Sequence, residues 1–193
     1  MPSDETREAL LDAAKRVMQR EGAGNLTLDA VAKEAGVSKG GLLYHYPSKG
    51  DLLRGMLAAG GERMRRDLEG QMRRSPGPKG FARAFLNLAV YGPPDQACKP
   101  PVEAVWSMLA ATANDPTLLD PIRESQAEWG RRLAEEPIDP DVANLIRLVG
   151  RGLWMTEIFG FEAPTVDERR RLHDLLSRMG GLVPDAPNEM EEI

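Results

Sequence analysis

Apolar residues recur at intervals of three and four along almost the whole chain, and no stretch alternates strictly between apolar and polar side chains. A helical period without a two-residue period predicts an all-α protein. The breaks between periodic runs place the helices. The first spans 4–20, with Leu10, Ala14 and Val17 on one face, and Gly22 and Gly24 stop it. A short helix over 28–35 starts after Thr27, whose hydroxyl can accept one of the unpaired amide protons of a first turn. Gly36 ends it. A third helix, over 39–45, is capped by Ser38 and stopped by Pro47, because the residue before a proline is steered out of the α region. The long helix 48–74 opens on Ser48-Lys49-Gly50-Asp51, a capping box with Asp in place of Glu or Gln. It carries Leu53, Leu57, Met64, Leu68 and Met72 at helical spacing. "SPGPKG" then interrupts the chain. Helices over 81–91, 101–113, 117–135, 141–161 and 166–179 follow, separated by "GPPDQACKPP", "NDP", "EPIDP" and "EAPT".

This layout divides the chain into a domain of three short helices (1–47) and a larger helical body (48–183), with 48–74 as the connecting helix. Residues 184–193, acidic and proline-containing, are expected to form a disordered tail. The 193 residues are enough to bury a core without staples. One cysteine, Cys98, allows no internal disulfide and fits a reducing compartment. No window approaches the roughly 20 apolar residues of a membrane span, and the N-terminus has no uninterrupted apolar run. A cytoplasmic protein without membrane contact is expected. The net charge is −5, but it is unevenly spread: residues 1–75 carry 13 Lys and Arg against 11 Asp and Glu, and the remainder 12 against 19. Local basic clusters therefore sit on a near-neutral N-terminal third, which leaves nucleic acid open as a partner.

The segment "LTLDAVAKEAGVSKGGLLYHY" has the pattern of a helix-turn-helix. Val31 and Ala35 face inward, Ala32 is small where two helices approach, and Gly36 sits where the chain turns with positive φ. Val37 plugs the corner, and Leu42 anchors the second helix. That helix then offers Lys39, Gly40, Tyr44 and His45 outward. Extended to "LTLDAVAKEAGVSKGGLLYHYPSKGDLL" and preceded by one amphipathic helix, the pattern resembles the TetR family of transcriptional regulators over residues 4–57. The run from Tyr44 to Lys49 is its most specific part. Beyond residue 57, only the all-α layout and the helix count are similar.

The resemblance implies a three-helix DNA-binding domain joined by a long helix to a helical ligand-binding and dimerisation domain. It implies DNA contacts from Thr27, Ser38, Lys39, Gly40, Gly41, Tyr44, His45 and Lys49. The chemistry of these side chains fits a phosphate backbone. Thr27 offers a hydroxyl at a helix start, Tyr44 a phenol and Lys49 a charge, while Lys39 leads the recognition helix towards guanine O6/N7 or a phosphate. Of the two tyrosines, Tyr46 is expected to pack inward. Gly40-Gly41 remove two side chains from the groove-facing end, so few direct base contacts are expected, with weight on backbone approach and DNA shape.

A recognition helix this short reads few base pairs, so a homodimer on a palindromic operator is expected. In "DPDVANLIRLVGRGLWMTEIFGF", Leu145, Leu148, Gly152, Met155 and Phe159 line one face, and Val142, Ile146, Val149 and Leu153 an adjacent one. A helix apolar over so wide an arc is buried on two sides, one its own core and the other a partner subunit. Gly150 and Gly152 would allow close helix approach. By resemblance the body takes a small-molecule effector, apolar or amphipathic, and Trp106, Gln126, Trp129 and Met155 are candidate contacts. Gly55, Gly60 and Gly61 are expected to weaken the middle of the connecting helix, where a ligand would bend it. Two histidines, one cysteine, no glycine-rich phosphate loop and no paired-His motif argue against an enzyme, a metal site or a cofactor. The function expected is a dimeric repressor released by its effector. The alternative is a helical ligand-binding or adaptor protein that no longer binds DNA.

Overall fold

A computed structural model describes residues 2–22, 25–74, 76–92, 112–113 and 115–182. All regular structure among them is helical: α1 Pro2–Glu21, α2 Leu28–Ala35, α3 Lys39–His45, α4 Lys49–Arg74, α5 Gly80–Tyr91, α6 Asp120–Ala134, α7 Pro140–Phe159 and α8 Val166–Gly180. A 3₁₀ turn, Pro116–Leu119, precedes α6. The sequence predicts one helix over 117–135 here. Asp115 explains the difference: its carboxylate accepts the Thr117 amide at 3.1 Å and the Thr117 hydroxyl at 2.6 Å, which tightens the first turn. The helix expected over 101–113 falls outside the described residues except for 112–113, which are helical. Trp106, Cys98 and the tail 184–193 also lie outside them.

The described residues form two compact units. The first takes in α1–α3, α4 through Arg65, the 3₁₀ turn and α6 through Ala127. Its core is built from the apolar face of α1 (Leu10, Ala13, Ala14, Val17, Met18) against Leu26, Val31, Ala32, Leu42, Tyr46, Leu52 and Leu53. Each fully buried aliphatic side chain here contributes roughly 1.5–3 kcal/mol of transfer free energy. Arg16 and Arg20 of α1 both reach Glu34 of α2, at 2.8 and 2.7 Å. Arg54 of α4 donates to Asp51 and to Thr117, at 2.9 and 3.0 Å.

The second unit holds α4 from Arg66, α5, α6 from Glu128, α7 to Glu157, and α8. Phe81 and Phe85 of α5 form its aromatic centre, and Trp129 meets Phe85 edge-on at 6.2 Å. The Arg132 guanidinium lies 4.1 Å from the centroid of the Phe81 ring. The Glu136 carboxylate accepts the Phe81 amide at 2.9 Å and so satisfies an open donor at the start of α5. At the other end, Arg169 donates to the Val90 carbonyl at 2.6 Å and pairs with Glu157 at 3.0 Å. Gly150 does allow close approach, but to the chain's own α5: a Cβ there would lie 3.0 Å from that of Ala89. Gly152 borders open space.

Three of the five glycines of α4, those in its middle, differ from the uniform weakening that their composition predicts. A Cβ on Gly55 would lie 2.6 Å from Tyr46 Cε1, and one on Gly61 2.6 Å from Ser125 Oγ, whereas one on Gly60 would meet nothing within 4 Å. Of these three, Gly55 and Gly61 are therefore close-packing positions, and Gly60 is a free weak point.

Candidate nucleic-acid interface

α2, α3 and the turn between them carry the expected caps. Thr27 Oγ1 accepts the Ala30 amide at 3.1 Å, and Ser38 Oγ accepts that of Gly41 at 3.1 Å. Gly36 adopts φ 69° and ψ 25° and ends α2, and the Val37 amide donates back to Ala32 at 3.0 Å. This is a left-handed helix ending that glycine adopts without steric cost. Ser48 caps α4 in a variant way. Its oxygen accepts the Asp51 amide at 3.1 Å, while its hydroxyl donates to the Asp51 carboxylate at 2.6 Å.

The inward side of the motif is closed. Leu42 is fully buried, Val37 packs on the same cluster, and Tyr46 is 2% exposed with the Arg7 guanidinium 5.5 Å from its ring centroid. The outward side carries the predicted contact residues. Thr27, Ser38, Lys39, Gly40, Gly41, Tyr44 and Lys49 are exposed, and His45 is half-buried. Tyr44 is 82% exposed, an unusual placement for an aromatic side chain, and touches the His45 ring edge-on at 5.1 Å. With Leu42 and Tyr46 anchored, Tyr44 has no apolar surface to cover. Its phenol is free to donate to a phosphate oxygen. Thr27 keeps its hydroxyl proton for the same use, since its cap bond employs only the oxygen.

One feature of this surface was not predicted from the sequence. Lys39 Nζ lies 3.0 Å from Asp29 Oδ2, an ion pair between the second residue of α2 and the first of α3. The two are ten positions apart, beyond the reach of any single-helix spacing rule. The pairing becomes visible only once the turn has folded.

Three of the body candidates, Gln126, Trp129 and Met155, lie among the described residues. Trp129 is buried against Phe85 in the second unit. Gln126 is half-buried and belongs to the first unit. Met155 is 47% exposed on α7, on the same face as Leu145, Leu148 (49% exposed) and Gly152, while Ala143, Ile146, Gly150 and Leu153 are buried on the other face. On α8, Leu175 and Met179 are likewise about half exposed. Both helices therefore carry apolar side chains that stay exposed among the described residues. Among the described residues, no helix is long and apolar enough to cross a membrane.

Two family models match the chain. "Bacterial regulatory proteins, tetR family" covers residues 10–56, and "Tetracyclin repressor-like, C-terminal domain" covers 79–180. The HTH-type transcriptional regulator SrpR of Pseudomonas putida is 37% identical over 57 residues, which are 30% of this chain and 27% of that one. The chain thus matches only about a quarter of that relative's length. A solved TetR-family member from Streptomyces coelicolor A3 superposes with a TM-score of 0.68 at 22% identity, covering 91% of this chain and 98% of that one. The multidrug binding protein EbrR, complexed with ethidium, does so at 0.63 and 23%, covering 90% and 98%. At these identities the two structures share the fold.

Proposed function

The chain belongs to the TetR family of bacterial regulatory proteins, and from that premise we propose that it is a sequence-specific DNA-binding transcriptional regulator. It acts as a homodimeric repressor on a palindromic operator in the cytoplasm and leaves that operator when a small-molecule effector binds. The observation that carries this reading is the recognition helix. Its inward residue Leu42 is fully buried, while Lys39 at its start, paired with Asp29, and Tyr44 near its end are exposed. Residues 1–47 serve as the DNA-binding domain, with Thr27, Ser38, Lys39, Gly40, Gly41, Tyr44, His45 and Lys49 against the duplex. Residues 48–183 serve as the ligand-binding and dimerisation domain.

The uncovered apolar side chains of α7 and α8 favour a two-fold interface made by these helices from each subunit. Dimerisation would set two recognition helices for half-sites about one helical turn apart, near 34 Å, or a multiple of it. An apolar or amphipathic effector fits the composition of the body, and the EbrR complex with ethidium supports a small organic molecule as the class. Gln126 and Met155 remain candidate contacts, with Trp106 and Trp129. Release follows only if the effector prefers the state that cannot span two half-sites, since equal affinity for both states shifts nothing.

The test is selection of bound duplexes from a random DNA pool, with the Lys39→Ala/Tyr44→Ala protein as control. Enrichment of a palindrome that the control loses is expected. No enrichment at low salt would replace this reading with a helical ligand-binding or adaptor protein that no longer reads DNA.

A further inference from the structure

The Asp29–Lys39 pair stands at the start of the recognition helix, its two side chains 68% and 58% exposed. An exposed pair of this kind contributes little to stability. It does, however, bias the direction in which the Lys39 ammonium points. A lysine is a compact charge on a flexible stem, and alone it points in no fixed direction. The two residues after it carry no side chain. Neither Gly40 nor Gly41 has a positive φ. A Cβ on Gly40 would meet nothing within 4 Å, and one on Gly41 would meet only Ser38 Oγ at 3.3 Å and Val37 Cβ at 4.0 Å. Lys39 is therefore the one long side chain at this end of α3, and Asp29 sets its direction.

We propose that Asp29 is a specificity-determining positioning residue, holding the Lys39 ammonium for a base edge and making it a poor neutraliser of phosphate. The proposal rests on the DNA-binding reading above. Its physical basis is the difference between two targets. Phosphates line every duplex, so a lysine that neutralises one strengthens binding to all sequences alike. With a carboxylate 3.0 Å away, the pair is close to neutral from a distance, and a phosphate brought near it meets repulsion from Asp29. A guanine edge is uncharged and presents two acceptors, O6 and N7. The ammonium has three protons, of which one serves Asp29 and two are left for that edge. Asp29 also retains an oxygen that can accept from a cytosine amino group. The pair thus favours a G·C pair and disfavours backbone, so discrimination comes from a repulsive element as much as an attractive one.

The full-length chain is first used to select its preferred duplex. Wild type, Asp29→Asn, Asp29→Glu, Lys39→Ala and Asp29→Asn/Lys39→Ala are then titrated against that duplex and against a scrambled duplex of the same length and composition, over a range of salt. Asp29→Asn is expected to tighten binding to the scrambled duplex and lower the ratio of selected to scrambled affinity by about tenfold, the scale of one base contact. Its salt dependence on scrambled DNA should steepen by roughly one phosphate contact per subunit. Asp29→Glu should keep the wild-type ratio, and in the Lys39→Ala background the Asn substitution should change the ratio little. A role limited to stabilising α2 would lower the melting temperature and leave ratio and salt slope alone, which overturns the proposal. So would an unchanged ratio in Asp29→Asn when Lys39→Ala lowers it. If wild type selects no duplex and binds neither DNA, the DNA-binding reading itself fails, and the proposal with it.

Discussion

Gly55→Ala and Gly60→Ala make the same chemical change in the same helix, and the structure gives them opposite signs. In an unencumbered helix interior, replacing Gly with Ala stabilises by about 1 kcal/mol, since Ala loses less backbone freedom on folding. Gly60 is such a position, with nothing within 4 Å of an added Cβ. At Gly55 the added carbon would lie 2.6 Å from Tyr46 Cε1 and 3.2 Å from both Cζ and Oη. Carbon atoms in contact prefer about 3.5–4.0 Å, so the ring must move by roughly 1 Å. It cannot swing into water, because Tyr46 is 2% exposed and belongs to the first unit's core cluster. Overpacking of this kind costs about 1–3 kcal/mol. The propensity gain is offset, and Gly55→Ala should lie below Gly60→Ala in stability by that 1–3 kcal/mol. Urea denaturation followed by circular dichroism measures the difference, at one protomer concentration because association shifts apparent stability. Tyr46→Leu removes the atoms that clash, so Gly55→Ala should be tolerated better in that background than additivity allows. Equal stability of the two alanine variants in the wild-type background would refute the reasoning.

Three further outcomes are expected. Tyr44→Phe should leave stability within about 0.5 kcal/mol, as befits an exposed position. The same variant should weaken binding to selected and scrambled duplexes by the same factor, roughly tenfold for one hydrogen bond to a charged group; a sequence-dependent loss in a titration series would assign Tyr44 to base reading instead. Leu148→Asp places a charge on the half-exposed face of α7 and should shift the protein to monomers in sedimentation velocity, whereas an unaltered dimer would remove α7 from the interface. Hydrogen bonds from Arg16 and then Arg20 hold the Glu34 carboxyl below the ordinary glutamate range. A carboxyl with a depressed folded-state pKa contributes stability that is present above its unfolded value, near pH 4.3, and is lost as pH falls through the folded one. Melting temperatures of wild type and Glu34→Gln should therefore differ most at neutral pH and converge in acid; a constant difference would show that the arginine pairing is not the source.

How far this architecture can be read from the sequence depends on the range of the interaction that fixes each part. The limits of α2 and α3 follow from residues within three or four positions. Thr27 and Ser38 accept amides three residues on, and Gly36 takes the one conformation that ends α2 there. The sequence places both helices where the structure has them. The start of α6 needs one more local fact, that Asp115 can accept both donors of Thr117, and there the prediction runs one helix where the chain makes a 3₁₀ turn and then an α-helix. Gly55, Gly60 and Gly61 look alike along the chain, and only Tyr46 and Ser125, brought in by the fold, tell them apart. Asp29 and Lys39 are hidden for the same reason.

Gly40 and Gly41 connect fold and site. Two glycines in a seven-residue helix cost about 1 kcal/mol each relative to alanine. Glycine is otherwise explained by a positive φ or by a neighbour too close for a Cβ, and α3 supplies neither at Gly40. At Gly41 the only close neighbour is the capping oxygen of Ser38, at 3.3 Å. The fold of the free chain thus gives no reason for Gly40 and only a tight contact with the Ser38 cap for Gly41, while Gly36 four residues before Gly40 is fully explained by its own φ of 69°. What the two glycines do provide is a bare backbone on the exposed side of α3, flanked by Lys39 before it and Tyr44 beyond it. A surface of that shape lets another polar backbone approach to hydrogen-bond distance, and under the proposal above it would leave discrimination to Lys39, the charged side chain paired with Asp29.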